Sequence, residues 1–136
     1  MNKAIAAIVY SGAVAMTESA VIAAPRSDAE ISKIFVGSWS VPPKSPDYER
    51  NKYSVETYGA DGSDVAVWYT DSTCKKVADR VTGKWKIEKG WLISIIPNRI
   101  TFHDKIASIS ADEVTFFDDQ GTHAMRRGTF CGAPLW

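Results

Sequence analysis

The chain has 136 residues, 45% of them hydrophobic and 24% charged, and its 16 basic and 16 acidic side chains cancel to a formal charge of zero. That balance fits one ordinary globular domain and excludes a broad basic surface for nucleic acid or for an anionic membrane. Lys75-Lys76 and Arg126-Arg127 are small local exceptions, read as solvated surface pairs.

The first segment differs in kind from the rest. Met1-Asn2-Lys3 gives a short positive start, residues 4–16 carry no charge, and Val21-Ile22-Ala23-Ala24 supplies small residues before Pro25. Residues 1–23 therefore read as a cleaved signal peptide, with a single domain over residues 24–136 and a periplasmic or secreted location. Glu18 interrupts the apolar run short of the roughly 20 residues that a spanning helix needs, so no membrane span is expected after cleavage. In an oxidising compartment Cys74 and Cys131, the only two cysteines, are expected to bond to each other.

Ser27-Asp28-Ala29-Glu30 has the capping-box pattern, and Ile31, Ile34 and Phe35 follow at helical spacing. A short helix is predicted from Ser27, stopped by Gly37, with Ser38-Trp39-Ser40-Val41 opening the first strand. Pro42, Pro43 and Pro46 make residues 42–51 a stiff, exposed connection. Beyond it strands are predicted near 52–58, 63–70, 80–88, 91–96, 99–103, 106–110, 113–118 and 122–130.

Three glycine-containing tips punctuate these strands: Ala60-Asp61-Gly62, Glu88-Lys89-Gly90 and Asp119-Gln120-Gly121. Each is read as a three-residue hairpin loop with glycine in the left-handed position. The first then pairs Thr57 with Val65, Val55 with Val67 and Tyr53 with Tyr69, gathering an apolar face. The opposite face holds Ser54, Glu56, Tyr58, Asp64, Ala66 and Trp68, a mixture compatible with solvent. The second pairs Ile87 with Trp91 and Trp85 with Ile93, whereas a two-residue Lys89-Gly90 loop would force Lys89 to a positive φ. At the third tip Val114, Phe116, Ala124 and Arg126 are placed on one face. The expected fold is all-β: an antiparallel up-and-down meander of about eight to nine strands with a short N-terminal helix, closed into a barrel to hide its edges.

Phe35-Val36-Gly37-Ser38-Trp39, a Gly-x-Trp after a short helix, resembles the N-terminal signature of the lipocalin-like or calycin barrels, and the Tyr58 to Gly62 hairpin, Gly83-Lys84-Trp85 and Arg127 to Cys131 extend the likeness. It is closest to short secreted bacterial lipocalin-like proteins, most of which have no assigned activity. The resemblance implies that Trp39, following Gly37, plugs the closed end of the barrel under an arginine of the last strand, Arg126 or Arg127. The chain departs from full lipocalins in lacking a long helix after the barrel and a clear Thr-Asp-Tyr motif.

The side chains read as inward are Tyr53, Val55, Val67, Tyr69, Trp85, Trp91, Ile93 and Phe116. They make either a filled core or a pocket for a small apolar or amphipathic ligand. His103 and His123 have no nucleophile or ligand set beside them in sequence, so no catalytic residues, metal site or cofactor are assigned. The function expected is non-enzymatic binding of a small hydrophobic ligand. The rival is a protein-binding module, an inhibitor of a secreted enzyme or an envelope component, acting through loop 42–51 with exposed Trp68 or Trp136 over a solid core.

Overall fold

The computed structural model describes residues 26–98, 100–118 and 121–132. The segment read as a signal peptide lies outside the described residues, as does Trp136. Helix α1 (Asp28–Phe35) begins where the capping pattern places it: Ser27 is extended and its Oγ accepts from the Glu30 amide at 3.2 Å. Ile31 and Phe35, one turn apart, are its buried residues. The chain leaves the helix through Gly37 at φ +132°, where a Cβ would lie 2.5 Å from Arg127 Nη1.

Eight antiparallel strands follow: β1 (Gly37–Ser40), β2 (Ser54–Tyr58), β3 (Ser63–Tyr69), β4 (Val77–Glu88), β5 (Trp91–Ile95), β6 (Thr101–Ile109), β7 (Glu113–Asp118) and β8 (Gly121–Arg127). They run in sequence order and close when β1 pairs with β8, so no sheet edge is exposed. The strands expected separately at 99–103 and 106–110 are one strand, β6, carrying a register irregularity between Ile106 and Ser108. Residues 42–51 are not a plain exposed connection. They contain a helical turn, α2 (Tyr48–Asn51), while Pro42 and Ser45 are buried.

The first hairpin has the expected register, with Val55 opposite Val67 and Thr57 opposite Val65, and Gly62 at φ +89°. The second does not. Glu88 pairs with Trp91, Ile87 with Leu92 and Trp85 with Ser94, so the loop is the two-residue Lys89-Gly90 turn with Lys89 at φ +53°. Both φ values are positive, as a type I′ turn requires. What supports lysine there comes from outside the hairpin: the Asp28 carboxylate accepts the Lys89 amide at 2.7 Å and the Gly90 amide at 3.0 Å. These charge-assisted bonds offset the strain of a left-handed residue.

At the third tip Asp118 faces Gly121, and Asp119 and Gln120 lie outside the described residues. Val114 is opposite Met125 and Phe116 opposite His123. Met125 and His123 therefore share their face, rather than Ala124 and Arg126, because a one-residue change of register exchanges the two faces of a strand.

Helix α1 closes one end of the barrel. Phe35 and Trp39 are completely buried, and the Phe35 ring centroid lies 5.5 Å from that of Trp39, 4.8 Å from Tyr58 and 5.8 Å from Trp85. The arginine over Trp39 is Arg127, its guanidinium carbon 4.3 Å from the ring centroid. Arg126 instead reaches Glu113, with Nε 3.3 Å from Oε2. Arg127 is thus structural rather than one of a solvated pair. Cys74 and Cys131 form a disulfide with their Cα atoms 5.5 Å apart, tying the β3–β4 connection to the C-terminal segment. No helix among the described residues is long and apolar enough to cross a membrane.

Candidate functional site

The barrel holds a cavity of about 600 Å3. Its walls include Ser54, Glu56 and Tyr58 from β2, Asp64, Ala66 and Trp68 from β3, and Val81 and Gly83 from β4. Leu92, Ser94, Phe102, Asp104, Phe116, His123 and Met125 contribute from the later strands. The β2–β3 faces are therefore exchanged relative to the sequence reading: the mixed polar face looks inward.

Tyr53, Val55, Val67 and Tyr69 alternate with the wall residues and so lie on the outer face. Val55 is nevertheless buried, and the Tyr53 ring packs 6.0 Å from that of Phe130 in the C-terminal segment. Trp91 and Ile93 also face outward, because Lys89-Gly90 is a two-residue turn; Trp91 is 38% exposed. Of the eight side chains read as inward, Phe116 lines the cavity and Trp85 belongs to the aromatic floor, its Nε1 donating to the Gly59 carbonyl at 2.9 Å.

Propagation across the sheet makes the reason plain. On β4, Arg80, Thr82, Lys84, Lys86 and Glu88 alternate with Val81, Gly83, Trp85 and Ile87. Val65 sits opposite Thr82 and Val67 opposite Arg80, so the valine face of β3 shares the charged, outer side of β4. Burying those valines would have buried the arginine and lysine as well, which costs more than the valines return.

The depth of the cavity is acidic. Glu56, Asp64 and Asp104 lie on its wall with Tyr58. Burial raises the Glu56 carboxyl well above its ordinary range, and the neighbouring Asp64 charge and hydrogen bond add to this. Asp64 is raised mainly by burial, opposed by its hydrogen bonds with Glu56 and Ser94. Burial, followed by the charges of Glu56 and Asp64, holds the Tyr58 phenol well above its usual value and thus protonated. Asp64 is only 5% exposed, and its Oδ1 has no hydrogen-bond partner among the described N–H and hydroxyl donors.

The other end is apolar and partly open. Ile96, Ile100 and Phe102 line it, with Ile100 56% and Phe102 46% exposed. Loop 42–51 crosses this end. Ser45 Oγ accepts the Ala124 amide at 3.0 Å and donates to Asp47 Oδ1 at 2.5 Å, while Asp47 Oδ1 lies 3.4 Å from His123 Nδ1. Trp68 turns inward, not to solvent, and its Nε1 donates to Asn51 Oδ1 at 3.1 Å. His123 is thus a half-buried wall residue, whereas His103 is exposed.

Glu56, Asp64, Asp104 and Trp68 are among the wall residues that sequence reasoning missed; the charge alternation of β4 carried across β3 to β2 and across β5 to β6 would have found the first three on one side. No protein-family model matches the chain, and no curated protein matches it in sequence.

Proposed function

We propose that this protein is an exported, non-enzymatic, lipocalin-like barrel that holds a small amphipathic molecule in its interior. The observation that carries the reading is the cavity of about 600 Å3, which falls within the range of small-molecule sites and combines an apolar entrance with a few convergent polar groups. The eight-strand closed barrel, the helix-plugged end and the Arg127–Trp39 stack support the lipocalin-like comparison. The disulfide is compatible with export.

The rival reading, a protein-binding module acting through loop 42–51 over a solid core, has less support. The interior is hollow, Trp68 faces it, and Pro42 and Ser45 are buried. Native mass spectrometry of protein from its own host, with a thermal-shift panel of neutral, cationic and anionic amphiphiles, tests the container reading. Retained small-molecule mass or stabilisation by one class is the expected result. No retained mass and no stabilisation by any class overturns it.

A further inference from the structure

Strand β5 turns Trp91, Ile93 and Ile95 to the outside of the barrel, with Trp91 38% and Ile95 41% exposed. Lysines border this apolar stripe on both sides. On β4, Lys86 stands opposite Ile93 and Lys84 opposite Ile95, and on β6 Lys105 stands opposite Trp91; all three are exposed. Beyond Lys105 in the same row is Phe117 of β7, 56% exposed. Glu88, opposite Trp91, also borders the stripe, and its Oε2 lies 2.8 Å from Lys86 Nζ, so the lysines leave the face net positive.

The stripe runs to the open end of the cavity. Ile95 is its last residue, and the next, Ile96, lines the cavity, its amide donating to the Ile100 carbonyl at 3.2 Å. Ile100 and Phe102 line the same end and are exposed as well. One apolar surface thus passes from the outer wall over the rim into the interior. Covering it removes apolar area from water, and the lysines decide what can cover it. A second copy seated on the stripe about a two-fold axis would bring lysine against lysine, because both borders are basic. A lipid surface with anionic headgroups suits both features: indole and aliphatic side chains settle at its interface, while lysine stems lie along apolar surface with the ammonium among the headgroups. The chain as a whole is neutral, so the attraction belongs to this face.

We propose that the outer face of β4–β6 docks the barrel on an anionic membrane surface, with Trp91, Ile95 and Ile100 in the interface and Lys84, Lys86 and Lys105 against headgroups, so that an amphipathic guest passes between bilayer and cavity over the rim at Ile96 and Ile100. The inference rests on the container reading and names the partner with which the cavity exchanges its guest.

Co-sedimentation of the disulfide-bonded protein with vesicles tests it, comparing phosphatidylcholine alone with phosphatidylcholine containing about one-third phosphatidylglycerol. Binding should be at least about tenfold tighter to the anionic vesicles at low ionic strength and should weaken at high salt. Lys84→Glu with Lys105→Glu should remove that preference, and Trp91→Ser with Ile95→Ser should weaken binding to the anionic vesicles by at least about tenfold, while both variants keep the wild-type circular dichroism. Equal binding to the two vesicles, or binding to neither, overturns the docking, and a response to the amphiphile panel then leaves the container reading standing. A dimer in sedimentation that Trp91→Ser with Ile95→Ser dissolves, without vesicle binding, overturns it by showing that a second copy covers the stripe. No response to the amphiphile panel overturns the container reading, and the guest exchange with it, even where vesicles are bound.

Discussion

Arg127 lies over Trp39, guanidinium carbon 4.3 Å from the ring centroid, and from that position its Nη1 donates to the Val36 carbonyl at 3.0 Å and its Nη2 to the Ile34 carbonyl. One side chain thus stacks on the plug of the barrel and satisfies carbonyls at the C-terminal end of helix α1, joining the last strand to the first two elements. Removing it in Arg127→Ala should cost about 2–4 kcal/mol in urea unfolding with the disulfide intact. Arg127→Lys should recover only part of this, since an ammonium cannot stack flat and donate in two directions at once. Full recovery by lysine would show that charge alone matters.

The N-terminal end of the same helix is tied down by Asp28, which accepts the Lys89 and Gly90 amides. Asp28→Ala should therefore destabilise by about 1–2 kcal/mol. Lys89→Asn, which suits the first position of a type I′ turn, should stabilise by roughly 0.5–1 kcal/mol. The double variant should lose less than the sum of the separate effects requires, because a turn content with its own residues depends less on the tether. Strict additivity in the double-mutant cycle would contradict this coupling.

Glu56 gives a pH signature. Its carboxyl, facing Tyr58, Asp64 and Asp104, is held above the ordinary value of 4.5 chiefly by burial, so between that value and its folded-state value the native chain binds more protons than the unfolded one. Stability contributed by this group is present below about pH 4.5 and is lost as pH rises through the raised value; Asp64, also raised, acts in the same direction. Glu56→Gln keeps a donor for Asp64 without the charge. It should flatten the decline measured by thermal unfolding above pH 5 and gain on the order of 1 kcal/mol at pH 7. A variant with an unchanged pH profile would show that Glu56 is not held in that environment.

The Cys74–Cys131 bond closes a separation of 57 residues. Cys74→Ala with Cys131→Ala should lose up to about 4 kcal/mol, the loop-entropy value, and should loosen the C-terminal segment in which Phe130 covers Tyr53. Unchanged hydrogen exchange around Tyr53 and Phe130 in the double variant would contradict that second part.

Much of the fold is legible in local chemistry. Ser27 and Glu30 mark the helix start, Gly37 and Trp39 the plugged end, and Gly62 the first turn with its pairing intact. The second turn was not legible from its own residues, because the Asp28 carboxylate that supports Lys89 lies 61 positions away in sequence. The cavity was obscured for a related reason. Register fixes which residues are paired, while the choice of inner face depends on the neighbouring strand, and a hollow barrel relaxes the rule that the more apolar face turns inward. Val55 shows the converse, an outer residue that is still buried.

Two adjacent positions on β3 test the inside-out assignment and the container reading together. Ala66 faces the cavity and Val65, opposite Thr57 and Thr82, faces outward. Titrating a neutral amphiphile, 4-phenylbutanol, into Ala66→Trp and Val65→Trp should give binding weakened by more than about tenfold in the first and changed by less than about twofold in the second. Undiminished binding in Ala66→Trp with loss in Val65→Trp would place the ligand on the other face and contradict the assignment.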